Sequence, residues 1–147
     1  MAMLSDIMQA LATLELSANA PAGEKPLTNI SDEPQDALDL FPTMVNWETR
    51  TTFLREPGQG TFGLGVPQQI THYVNAALAL APQDGKYSTR SKRLWFETIF
   101  DLFRQNPTLS GVCGGAYLDD VDHQAARLQG GVEYPGFTLH LHILATG

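Results

Sequence analysis

Two imidazoles near the end of the chain are the first residues whose type and spacing suggest chemistry. His140 and His142 lie two positions apart in the run Phe137-Thr138-Leu139-His140-Leu141-His142-Ile143. Alternation of apolar and polar residues at period two is strand geometry, and it puts both imidazoles on the face opposite Phe137, Leu139, Leu141 and Ile143. Asp122 and His123, carried by a neighbouring strand, could complete a zinc set, since zinc takes imidazole and carboxylate ligands. No cysteine or glutamate completes a recognised spacing around them. His123, His140 and His142 therefore stand as second-choice metal candidates, behind a half-exposed sheet face or a subunit interface. Asp119, Asp120 and Asp122 suggest calcium or paired-carboxylate chemistry. An EF-hand loop counted from Asp119 needs glycine at its sixth place and glutamate at its twelfth, where this chain has Gln124 and Gly130. The spacing predicts a solvated acidic turn.

Gly58-Gln59-Gly60-Thr61-Phe62-Gly63 has the letters of a dinucleotide fingerprint. That motif needs a strand before it and a helix N-terminus after it to face the pyrophosphate, whereas Pro57 precedes it and Gly65 and Pro67 follow. A flexible contact loop is the better reading. Cys113 lies between Val112 and Gly114 with no orienting histidine in sight, which predicts a small buried side chain and no nucleophile. No serine sits in a G-x-S-x-G elbow. The residues thus name no catalytic group and no cofactor site, and the chain is expected not to be an enzyme. Lys86, Arg90, Lys92 and Arg93 form the basic cluster. It reads as a solvated face or as a docking patch for the acidic N-terminal arm of an adjacent subunit.

The elements that must position these groups are partly legible. Leu4, Ile7, Met8, Leu11 and Leu14 recur at helical intervals, with Asp6, Gln9 and Glu15 off the stripe, so residues 1–16 are expected to form an N-terminal amphipathic helix. Residues 17–42 read as an acidic loop or arm: Glu24, Asp32, Glu33, Asp36 and Asp39 face the single Lys25. Thr43 to Trp47 is strand-like after Pro42, Arg50 to Pro67 reads as a long glycine- and proline-rich excursion, and Gln68 to Leu80 as a second strand, with a helix the alternative that its alanines allow. A main core helix is predicted with Ser88 as N-cap, Trp95, Ile99, Leu102 and Phe103 inward, and Phe96 and Phe100 widening the apolar face. Asn106-Pro107 ends it. Ala116 to Val121 and Val132 to Ala145 read as paired strands, with turns at Gly114-Gly115 and Gly130-Gly131 and a bend at Pro135-Gly136. The fold class expected is α+β: a mostly antiparallel β-sheet packed against a main core helix, with an N-terminal amphipathic helix and long loops.

The chain's 147 residues suit one domain with its own core. A charged fraction of 17% is low for a freely soluble domain, and neutral surface of that kind is what protein contacts remove from water. The net charge of −7 excludes a phosphate-gripping nucleic-acid reader, yet suits a surface that lets DNA pass without sticking. With one cysteine no intrachain disulfide forms, and cytoplasmic production is expected. The start lacks the basic region of a signal peptide, so it is expected to stay on the protein. The longest apolar stretch, Ala76 to Ala81, is too short to span a bilayer.

Taken in order, the helix Leu94 to Arg104, the stop Asn106-Pro107-Thr108-Leu109-Ser110-Gly111 and the closing Gly130-Gly131-Val132-Glu133-Tyr134-Pro135-Gly136-Phe137-Thr138-Leu139-His140-Leu141 resemble tail-terminator proteins of tailed bacteriophages. The strand after Phe41-Pro42-Thr43 and the strand Gln68 to Leu80 extend the likeness over most of the chain, while the long acidic arm from Ser17 to Asp39 departs from the plainest members. The resemblance rests on the order of elements, for the family has no invariant catalytic motif. It implies a ring, typically a hexamer, that caps the tail tube, stops its polymerisation and joins it to the head-side connector. Its partners would be copies of itself, the tail tube protein and the head-side stopper or connector protein, in the virion's tail or neck. Genomic DNA would pass through without sequence-specific binding, and no membrane is involved. On this reading Phe53, Gly58, Gly60, Phe62, Leu64, Arg90 and Arg93 are expected at subunit or partner contacts, and Asp119, Asp120 and Asp122 along the channel. Another neck, connector or tube subunit is the alternative, and a small histidine-based metal-binding protein a more distant one.

Overall fold

In the computed structural model, residues 4–31, 41–55, 68–81, 85–127 and 133–145 are described. Helix α1 spans Leu4–Leu16, and its periodicity is the predicted one: Ile7, Met8 and Leu11 are buried. The next inward step of four residues lands on Glu15, which is fully buried, so the expectation that Glu15 lies off the stripe is corrected. Strand β1 is Asn29–Ser31 and β2 is Thr43–Arg55. β2 therefore runs eight residues past the predicted strand end, taking in the first third of the expected excursion. Thr51, Thr52 and Phe53 are β-branched or aromatic, and that local preference prevails over the glycines and prolines further on. β3, Gln68–Ala79, falls where expected.

Helix α2 is Gly85–Gln105. It begins before Ser88, which is thus inside the helix and not its cap; the buried apolar step starts only at Trp95, so the first turn has no inward apolar repeat to mark it in the sequence. Ser91, Trp95 and Ile99, at steps of four, are the buried positions. Phe96 lies edge-on to Phe137, ring centroids 5.7 Å apart, but Phe100 is 42% exposed and only flanks Phe96. Its predicted core role is corrected, because it sits one hundred degrees beyond Ile99 on the helix. The helix closes where predicted, with Asn106 Nδ2 donating to Leu102 O at 2.9 Å. Beyond it, Leu109, Ser110 and Gly111 have φ of 50°, 60° and 87°, a left-handed turn pinned by the buried Leu109 side chain.

Strands β4, Gly115–Asp122, β5, Ala126–Arg127, β6, Glu133–Tyr134, and β7, Gly136–Ala145, complete the chain. The main sheet has the order β1-β2-β3-β7-β4, with β1 parallel to β2 and the other pairs antiparallel. The α+β class is as expected. The bend at Pro135-Gly136 is also found: Gly136 has φ 146°, and a Cβ there would come within 1.8 Å of Leu78 O. Only glycine permits that approach of two backbones.

Both helices cover one face of the sheet. Met44, Val74, Ala76, Leu78, Phe137, Leu139, Leu141 and Ile143 pack there against Ile7, Leu11, Trp95 and Ile99. Each large apolar side chain buried in this way contributes about 1.5 to 3 kcal/mol. On the other face, the β5–β6 ribbon covers one end through Val45, Trp47, Ala77, Ala79 and Ala126, with Phe41 and Tyr134 at the margin. Among the described residues nothing covers the rest of that face, which carries His140 and His142.

Candidate functional site: the open sheet face

Strand register builds the site. Arg50 pairs with Tyr73, Tyr73 with His142 and His142 with Tyr117, so one row crosses β2, β3, β7 and β4. The Arg50 guanidinium carbon sits 4.1 Å from the Tyr73 ring centroid, a cation–π distance. The His142 ring is 6.2 Å from Tyr73 and 4.8 Å from Tyr117, nearly parallel to the latter at 16°. Tyr117 is 49% exposed and its ring folds back over Gly115, where a Cβ would lie 2.8 Å from it.

The next row runs Trp47, Asn75, His140, Asp120. His140 Nδ1 donates to Asn75 Oδ1 at 2.8 Å, and its Nε2 is 3.6 Å from Asp120 Oδ1. His142 Nδ1 donates to Asp119 Oδ1 at 2.6 Å. Both consecutive aspartates serve the same face because β4 is irregular between Leu118 and Asp120. The extra residue resets the alternation, so that Leu118 and Val121 still point into the core. Asp119 and Asp120 are therefore strand residues, which corrects the expected acidic turn. Asp122 is at the strand end, where its Oδ1 accepts from Gln124 N at 2.9 Å.

His140 and His142 share a face, as their spacing predicted, but His123 does not join them. Its ring is 4.8 Å from Phe96 and 6.4 Å from Phe137, on the helix side of the sheet. Among the described residues no three histidine, cysteine, aspartate or glutamate side chains converge to hold a metal ion. The three-histidine site is thereby overturned: β4 ends at Asp122, and the chain leaving it turns toward α2, where Lys92 Nζ donates to His123 O at 2.8 Å.

Cys113 is buried, and burial pushes its thiol up while a hydrogen bond to the Gly115 backbone opposes this, which disfavours the thiolate a nucleophile needs. Arg90 and Arg93 are exposed on α2, and Phe53 is 50% exposed on β2. Gly58, Gly60, Phe62 and Leu64 lie outside the described residues. The residues that sequence reading missed are Arg50, Tyr73, Asn75 and Tyr117. Each stands at an alternate position of a strand, but only the register between strands reveals that they form rows with the histidines.

Chemically the face offers flat aromatic surface, a guanidinium, and imidazoles whose orientation is fixed by carboxylate and amide partners. Tyrosine, tryptophan and arginine are the side chains that dominate protein–protein contact energies. No helix among the described residues is long and apolar enough to cross a membrane. No protein-family model matches the chain and no curated protein matches it, so the face, the sheet borders and the charges are the ground for a functional reading.

Proposed function

We propose that the chain is a non-enzymatic virion subunit that closes into a ring with copies of itself, in the manner of the tail terminators it resembles. The ring caps the tail tube, stops its growth, joins it to the head-side connector and lets DNA pass through its centre. The observation that carries this reading is the unlike pair of sheet borders. β1 forms one border and β4 the other, and among the described residues each has a strand on one side only. Unlike borders suit a heterologous contact, in which one patch of each copy meets a different patch of the next and a closed rotation makes a ring.

Charge favours the same arrangement. Arg90 and Arg93 flank Lys92, whose bond to His123 O places that stretch of α2 beside the β4 border. The acids Asp32, Glu33, Asp36 and Asp39 follow β1 in sequence. Arginines on α2 and acids that follow β1 in sequence are opposite charges that favour contact between unlike patches of neighbouring copies. Asp119, Asp120 and Asp122 would then add to the acidic lining that keeps passing DNA from sticking.

Native mass spectrometry with negative-stain imaging tests the reading. A closed oligomer, six copies by the resemblance, and single rings in the images are expected. A monomer at high concentration overturns the proposal, and long tubes reassign the chain to the tube itself.

A further inference from the structure

Glu15, in the last turn of α1, and Asn46, near the start of β2, face each other in the core with no exposed surface on either. Asn46 Nδ2 donates to Glu15 Oε1. That leaves two buried acceptors, Glu15 Oε2 and Asn46 Oδ1, with no hydrogen-bond partner. One proton joins them: on Oε2 it would donate to Asn46 Oδ1 and close a two-bond ring between a carboxylic acid and a primary amide, satisfying every polar atom of the pair.

We propose that Glu15 is held as a neutral carboxylic acid doubly bonded to Asn46, and that this pair is a proton-operated latch fastening the end of α1 to the sheet. An ionised Glu15 would instead be a buried charge with a single donor, which is the arrangement proteins avoid. Its place at the C-terminal end of α1, where the helix dipole is negative, works against the anion too, and no basic residue occupies that turn.

Among the described residues no charge of the surrounding elements is positioned to neutralise an anion there. On α2 the inward side chains are Ser91, Trp95 and Ile99, while Arg90, Arg93, Glu97, Asp101 and Arg104 are exposed and Lys92 is bonded to His123 O. On β2 the charged Glu48 and Arg50 are exposed, and on α1 so is Asp6. In the segment after α1, Glu24 accepts from Ser91 Oγ at 2.7 Å, and Lys25 is exposed. His72 of β3 is held by Thr51 Oγ1 at 2.8 Å. Burial drives the Glu15 carboxyl up to about 8 against the opposing effect of the Asn46 bond.

The test compares the full-length wild type with Glu15→Gln at fixed protein concentration. The glutamine amide makes both bonds to Asn46 and cannot ionise, so it mimics the closed latch at every pH. Unfolding equilibria from pH 5 to pH 9 should show the wild type losing about tenfold in folding constant per pH unit relative to Glu15→Gln, up to the pH at which the folded acid ionises. Above that pH, amide exchange in α1 should be faster in the wild type than in the variant. Parallel pH profiles for the two proteins overturn the latch. A carbon NMR titration of the Glu15 carboxyl in the wild type decides independently of any variant: protonated at pH 7 upholds the latch, and a midpoint near 4.5 refutes it.

Discussion

The His142 ring stacks on Tyr117 at a centroid distance of 4.8 Å, with the planes 16° apart, and Tyr117 in turn closes over Gly115 at the border of the sheet. A half-exposed tyrosine held rigidly over a glycine is preorganised contact surface, since little side-chain freedom is left to lose when a partner arrives. Tyr117→Ala should therefore cost only about 0.5 to 1.5 kcal/mol of fold stability, the usual worth of a ring pair. Self-association should weaken by about tenfold or more, as for an interface anchor. Thermal melting and analytical ultracentrifugation check the two parts, and unchanged association removes Tyr117 from the contact.

Charge reversal at Arg90 and Arg93 to glutamate should abolish ring closure while leaving the melting temperature nearly unchanged, because both side chains are exposed. In the wild type, added salt should weaken association in the same direction. Identical oligomers in variant and wild type would show that these arginines are merely solvated.

Within α2, neighbouring residues should behave oppositely. Ile99→Ala opens a cavity in a fully buried position and should cost about 2 to 5 kcal/mol, whereas Phe100→Asp should stay soluble and fold, since its ring is largely outside the core. Urea titrations of both variants settle the helix orientation.

Two backbone positions should answer to substitution with opposite signs. Gly136→Ala sets a methyl against Leu78 O in a conformation closed to side chains, and should prevent folding or cost several times the roughly 1 kcal/mol of an ordinary glycine replacement. Ser110→Gly relieves a left-handed residue that is exposed, and should stabilise by about 1 kcal/mol. Melting curves report both.

Two buried groups tilt the pH profile of stability in opposite directions. Glu15 has a folded value raised to about 8 from 4.5, so its contribution is full below 4.5 and falls by about 1.4 kcal/mol per unit as pH rises to about 8. His72 is lowered from 6.5 by burial, so the unfolded chain takes up its proton first and stability falls as pH drops below 6.5. His72→Gln should flatten the acid side of the profile between pH 5 and pH 6.5 without changing the alkaline side; an unchanged acid limb would contradict the burial of His72.

What could be read before the structure followed from period. α1, β3 and β7 each repeat an apolar residue at a fixed step; the end of α1, both limits of β3 and the end of β7 fall within a residue of expectation, and the start expected for the last run falls before the short β6. Glu15 escaped because polarity was taken to mean exposure, although its step from Leu11 is the inward one. β1, β5 and β6 are two or three residues long, too short for any period to show, and they exist only through pairing. The shared face of His140 and His142 was visible in their spacing. Their neighbours Arg50, Tyr73 and Tyr117 were not, because register between distant strands is a property of the assembled sheet, and the separation of His123 depends on a turn that periodicity does not register.

The irregularity between Leu118 and Asp120 makes Asp119 unlike any other residue of its strand. Removing one of the two adjacent aspartates, which gives the same chain whichever is taken, leaves Leu118 and the remaining aspartate in step with Leu141 and His140, as in an uninterrupted ladder. The border strand thus holds one supernumerary amino acid that its hydrogen-bonded frame does not require, and among the described residues its polar contact is with the imidazole of His142.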